Sequence, residues 1–81
     1  MSDIDISIVI VSYNTVNLLP EVLAAVEAAT GKLRVQIVVV DNASFDSSVK
    51  LLRQRYPHVE LIENRVNVGF GRANNQALAG C

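Results

Sequence analysis

Side chains able to bind or react gather in three short stretches of this sequence. The first is Ser12-Tyr13-Asn14-Thr15, and the second runs from Asp41 through Asn42, Ala43, Ser44 and Phe45 to Asp46. The third runs from Asn64 to Asn75 and holds Arg65, Asn67, Gly69-Phe70-Gly71, Arg72 and Asn74. A tyrosine ring offers a stacking face, a carboxylate accepts hydrogen bonds strongly, and a guanidinium matches phosphate oxygens. One reading is that these polar side chains converge to contact a ligand. The competing reading is that they only form turns and helix caps, for which Asn, Asp, Ser and Thr are the preferred residues. For Asn14, Thr15, Ser44 and Asp46 capping is the stronger reading. For Asp41, which follows the most apolar run of the chain, ligand contact and capping both stand.

The remaining reactive residues assemble into nothing. His58 is the one histidine and sits beside Pro57, where it reads as a solvated turn residue. Asp3-Ile4-Asp5 has the letters of a metal-binding pair but precedes the first apolar run, on the expected opposite end of the sheet from the three stretches. Cys81 is the single cysteine, so it forms no internal disulfide and has no partner for a metal. No Ser/His/Asp or Cys/His set can be built. The turn after the first apolar run lacks the glycines of a dinucleotide fingerprint, and the only close glycine pair, Gly69 and Gly71, comes too late. No P-loop Lys-Ser/Thr pair occurs, and Ser12-Tyr13 lacks the acids a phospho-receiver would place there.

The elements that must carry these stretches follow from hydrophobic period. Ile4, Ile6 and Ile8 alternate and then run into Val9-Ile10-Val11, as in a strand that becomes buried on both faces. Leu18, Leu19, Val22, Leu23 and Val26 recur at helical spacing. Pro20 fits only in the first turn, which sets the predicted helix start near Val16 or Asn17, and Gly31 is its expected left-handed stop. Val35 and Ile37 to Val40 predict a second strand, broken by Asp41-Asn42-Ala43-Ser44. A helix capped by Asp46 or Ser47 carries Val49, Leu51, Leu52 and Tyr56 and closes at Pro57. Val59, Leu61 and Ile62 alternate with Glu60 and Glu63 in a shorter strand. A loop follows from Asn64 to Val68, then a helix from about Phe70 towards Ala79. Strict β-α alternation predicts an α/β fold: a three-stranded parallel sheet of order 3-2-1 with flanking helices, half of a Rossmann-like sheet. Ligands of such sheets bind outside the carboxyl ends of the strands, where all three stretches fall.

Length and composition bound the function. Eighty-one residues make one small domain or part of one, and 51% hydrophobic with 19% charged residues is a globular composition. A formal net charge of −1 gives no electrostatic footprint for nucleic acid. No apolar run approaches the ~20 residues of a membrane span, and the acidic start Met1-Ser2-Asp3 predicts no signal peptide. A reducing, cytoplasmic setting is expected.

Read together, Ile8-Val9-Ile10-Val11-Ser12-Tyr13-Asn14, Val38-Val39-Val40-Asp41-Asn42-Ala43-Ser44-Phe45-Asp46-Ser47-Ser48 and Asn67-Val68-Gly69-Phe70-Gly71-Arg72-Ala73-Asn74-Asn75 resemble the amino-terminal motifs of family 2 glycosyltransferases, nearest the rhamnosyltransferase-like branch. The resemblance covers essentially the whole chain, and its specificity lies in the ordered triplet. It implies a GT-A fold with a UDP- or dTDP-linked sugar bound across the ends of strands 1 and 2. Ser12 and Tyr13 would flank the nucleobase, Asp41 would accept its ring N–H, and Asn42 would join them. Arg72 would approach the diphosphate. Ser44, Asp46, Gly69, Gly71, Asn74 and Asn75 would shape the loops. The resemblance also implies a divalent cation, Mg or Mn, held by a D-x-D-like motif on a following strand, and a catalytic base beyond it. Neither has a counterpart in residues 1–81, so the chain is expected to hold the nucleotide portion of a domain and to be inactive alone. The open side of strand 1 is expected to drive homo-oligomerisation, and the full enzyme to be cytoplasmic or peripheral at the inner membrane face. Two other readings remain: a non-catalytic nucleotide-binding or interaction module, and an unrelated Rossmann-like half.

Overall fold

The computed structural model describes residues 4–79. Met1, Ser2, Asp3 and Cys81, and with them the expectations placed on the amino terminus and the cysteine, lie outside the described residues. The elements are β1 (Ile6–Ser12), α1 (Leu19–Thr30), β2 (Val35–Asn42), α2 (Ser48–Arg55), β3 (Glu60–Asn64) and α3 (Phe70–Ala79). The three strands form one parallel sheet of order β1-β2-β3, the arrangement read from the sequence as 3-2-1.

The pleat of β2 divides the molecule into two cores. Ile37 and Val39 face α1 and α2 and pack with Leu19, Leu23, Leu52 and Val59. Val38 and Val40 face the other way, onto Ala73 and Ala77 of α3. Burial of each Leu or Val side chain contributes about 1.5–3 kcal/mol. Two successive crossovers in the same direction put α1 and α2 on one face. α3 changes face and lies over β1 and β2, so the chain turns back across the sheet after β3. The crevice at such a reversal, outside the strand ends, is the ligand position of open α/β sheets.

Element limits differ from the sequence reading: β1 starts at Ile6, not Ile4, and includes Ser12, α2 stops at Arg55 short of Tyr56, and three further limits shift. Helix α1 begins at Leu19 instead of Val16 or Asn17, with Pro20 still in its first turn. The Val16 N–H is bonded to Asp46 in the loop before α2 and the Thr15 N–H to Ser48, the first residue of α2, and Thr15 O closes a tight turn from Leu18 and Leu19. Residues 15–18 therefore bridge two loops before the helix starts. Strand β2 continues through Asp41 and Asn42, which were expected to break it. They keep their ladder with Glu63 and Asn64 of β3, so Asn64 too is strand and not loop. Gly31 has φ 56°, the positive value expected at the stop of α1, and its N–H bonds Glu27 O.

Candidate functional site

The parallel register aligns Ser12 of β1 with Asp41 of β2 and Asp41 with Glu63 of β3. Side chains in register share a face, so Ser12 and Asp41 both point toward the α1/α2 side, where each is almost fully buried, at 0% and 1% exposure. The next residue, Asn42, points to the α3 side. Thus one dipeptide at the end of the central strand serves two different loops.

On the α1/α2 side the loops after β1 and β2 are stitched together. The Asp41 carboxylate accepts the Ser44 hydroxyl at Oδ1 (2.6 Å) and the Ser44 N–H at Oδ2 (2.9 Å). Ser44 Oγ in turn accepts the Asn14 N–H (2.8 Å), and Asn14 Oδ1 accepts the Phe45 N–H (2.9 Å). Asp46 accepts the Val16 N–H at Oδ2 (3.2 Å) and the Ser48 N–H at Oδ1 (2.9 Å), while Ser48 Oγ accepts the Thr15 N–H (3.2 Å). The hydroxyls of Ser12 and Thr15 share a 2.6 Å hydrogen bond. Asn14 (φ 52°) and Ala43 (φ 63°) both adopt left-handed backbone, which asparagine tolerates and alanine does not favour. Burial works against the charge of Asp46, but the hydroxyl and N–H of Ser48 and the N–H of Val16 outweigh it and hold this carboxyl below its ordinary range.

In this arrangement Asp41 closes the turn to Ser44 and caps no helix, since α2 starts only at Ser48. Both of its oxygens serve Ser44, and its remaining acceptor capacity is closed off from solvent. Tyr13 is 46% exposed at the rim of the same loop pair, and its ring meets that of Phe45 edge-on, with centroids 6.1 Å apart.

On the α3 side Asn42, 2% exposed, is a clamp. Its Nδ2 donates to Gly69 O (3.2 Å), and its Oδ1 accepts Asn64 Nδ2 (3.0 Å) and the Val68 N–H (3.4 Å). Asn64 and Gln76 exchange two further amide hydrogen bonds at 2.8 and 2.9 Å. Asn67 Oδ1 accepts the Gly69 N–H. The amides that fasten α3 are therefore Asn42, Asn64, Asn67 and Gln76, and no hydrogen bond joins Asn74 or Asn75 to a neighbouring loop among the described residues. Gly69 has φ 84°, which requires glycine there, whereas Gly71 lies in the helix with open space beside it. Arg72 is exposed in the first turn of α3 and makes no ion pair among the described residues.

A divalent cation does not fit these residues. No three His, Cys, Asp or Glu side chains come together among the described residues, and the oxygens of Asp41 and Asp46 are occupied by serine and backbone donors. Asp5 lies at the opposite end of the sheet and accepts the Arg34 N–H, and His58 is exposed beside Tyr56. The hollow between α2 and β3, about 260 Å³ and lined by Leu52, Arg53, Tyr56, Pro57, Val59 and Leu61, is away from the carboxyl ends of the strands. The roles of Phe45 and Gln76 were missed in the sequence, whereas Asn14, read as a turn and cap residue, holds the turn at Phe45 with its side chain.

The family model of glycosyl transferase family 2 matches residues 7–81. The chain belongs to glycosyl transferase family 2. Two Mycobacterium tuberculosis members with the name N-acetylglucosaminyl-diphospho-decaprenol L-rhamnosyltransferase, from strains CDC 1551 / Oshkosh and ATCC 25618 / H37Rv, are each 34% identical to this family 2 chain over 79 residues. The alignment covers 98% of the chain and 25% of each relative, so the chain spans about a quarter of the length of the curated relatives it matches. No helix among the described residues is long and apolar enough to cross a membrane.

Proposed function

We propose that these residues form the donor-nucleotide portion of an enzyme that transfers a sugar from a UDP- or dTDP-linked donor to a glycan or other acceptor. The observation that carries this reading is the joining of the β1 and β2 loops at the carboxyl edge, with Ser12 and Asp41 in register and Tyr13 exposed beside them. In this reading the Tyr13 ring meets the face of the base. Asp41 takes the ring N–H of the base once Ser44, beside the left-handed Ala43, turns its hydroxyl and N–H away and frees the carboxylate. Arg72 faces the diphosphate from the first turn of α3, where its charge and the helix N-terminus both favour an anion. Asn42 acts from the opposite face of the sheet, by holding the loop at Gly69. The Mg or Mn ion and the proton acceptor of the transfer belong to other parts of the enzyme, and residues 1–81 alone bind nucleotide without transferring sugar. The compartment is the cytoplasm or the inner membrane face.

The same reading includes a second copy of the chain. β1 pairs only with β2 among the described residues, and from Ile6 to Ser12 it carries no charge or proline to discourage edge pairing. We place the homo-oligomer contact on that edge.

Titration with UDP and dTDP tests the nucleotide reading. The amide signals of Tyr13, Asp41 and Ser44 are expected to shift, and Asp41→Asn is expected to weaken binding about 10- to 100-fold, the value of a hydrogen bond to a charged acceptor. Unchanged spectra, or equal affinity in Asp41→Asn, overturn it.

A further inference from the structure

Three of the four phenylalanine and tyrosine rings of the chain, Tyr13, Phe45 and Phe70, are exposed in or beside the loops at the carboxyl edge, and only Tyr56 packs against a core. The core is aliphatic, and the residues with the largest apolar faces are left outside it. Single exposed apolar residues are ordinary. Tyr13 and Phe45 differ because they touch and because their backbones are fixed. Phe45 is 81% exposed, yet its N–H is held by Asn14 Oδ1 at 2.9 Å, next to Tyr13 in the chain. The ring planes stand at 71° with centroids 6.1 Å apart. That leaves no room for a third ring between them. It does form an L-shaped corner, in which a flat ring lying on Tyr13 brings its rim against Phe45.

We propose that Phe45 is a nucleobase-contacting residue, the second wall of an aromatic corner that receives the planar heterocycle of the donor nucleotide. The proposal rests on the nucleotide reading above and adds to it a residue of the turn that covers Asp41. Its contribution is to the base alone: a ring wall recognises a flat aromatic surface and gives nothing to phosphate.

The test is calorimetric titration of the intact chain, its Phe45→Ala and Phe45→Tyr variants, with UDP and with inorganic pyrophosphate. Phe45→Ala is expected to bind UDP roughly fivefold more weakly, the lower end of what a base–aromatic contact contributes. Phe45→Tyr is expected to match wild type, and pyrophosphate to be indifferent to either change. Because Phe45 is exposed, an unaltered amide spectrum outside the two loops is expected to accompany these results. Wild-type affinity for UDP in Phe45→Ala overturns the proposal and leaves the nucleotide reading standing. Equal weakening for UDP and pyrophosphate also overturns it, since the loop and not the base contact would then be at fault. A wild-type chain that binds no UDP removes the nucleotide reading, and this one with it.

Discussion

Replacing Asn42 by alanine separates a residue that fastens the fold from one that waits for a ligand. The amide makes three hydrogen bonds, to Gly69 O at 3.2 Å, Asn64 Nδ2 at 3.0 Å and the Val68 N–H at 3.4 Å. A neutral hydrogen bond contributes about 1 kcal/mol net, and the longest of the three contributes less. The orphaned partners add little, because Gly69 is exposed, Asn64 keeps its bonds to Gln76 and Val68 is only half-buried. The expected loss is therefore about 2 kcal/mol. A chain of 81 residues has a total of roughly 4–12 kcal/mol at typical values per residue. A loss of that size lowers the thermal midpoint by about 8–16 °C. Urea denaturation followed by far-UV circular dichroism measures it, with the slope against urea expected to stay unchanged. Asn67→Ala is the control: its single bond to the Gly69 N–H is exposed, and its loss is expected to cost less than about 1 kcal/mol. If Asn42→Ala falls within about 0.5 kcal/mol of wild type, Asn42 is not a clamp. The joining of α3 to the sheet must then be attributed to the Asn64–Gln76 bonds and to packing on Ala73 and Ala77.

Acid is expected to destabilise the fold through Asp46. Its carboxyl titrates below its ordinary value of 3.8, so near that pH the unfolded chain binds more protons than the native one, and stability falls as pH falls. The contribution is complete above about 4 and is lost as pH drops through the folded value. Urea midpoints between pH 6 and pH 3 are expected to fall, less steeply in Asp46→Asn, and an identical slope in the variant contradicts the assignment. At the free edge, Ile6→Lys places a charge on a side chain that is 38% exposed, and sedimentation velocity is expected to show an oligomer for wild type and a monomer for the variant. A monomeric wild type disproves edge pairing. Asp41→Asn is also expected to lose about 1 kcal/mol of stability, because an amide cannot accept both Ser44 donors, and a thermal melt distinguishes that cost from its larger effect on nucleotide binding.

The order of elements was legible because it depends on short-range pattern. β-branched runs at Ile8–Val11 and Ile37–Val40, a helical stripe at Leu19, Leu23 and Val26, and a positive-φ glycine at Gly31 each act within a few residues. Strict alternation then leaves few topologies for a parallel sheet, so strand order and the edge where the polar loops meet followed as well. The motif triplet pointed to glycosyl transferase family 2 for the same reason: it is a property of the sequence.

Tertiary structure decided which of several eligible residues performs each task. Asp41 and Asn42 are neighbours of similar size and chemistry, and no local rule distinguishes them. The pleat sends one under the α1/α2 loops to hold Ser44 and the other beneath Gly69, a division set by which helices lie on which face. Asn74, Asn75 and Gln76 were equally eligible to reach another loop, and the rotation of α3 about Ala73 and Ala77 gave Gln76 to Asn64. The start of α1 moved to Leu19 because Asp46 and Ser48, about thirty residues away, took the N–H groups of Val16 and Thr15. Hydrophobic period fixes elements because burial acts on whole faces. Partners of single hydrogen bonds are fixed by positions accurate to fractions of an ångström, and those exist only once the two cores have packed.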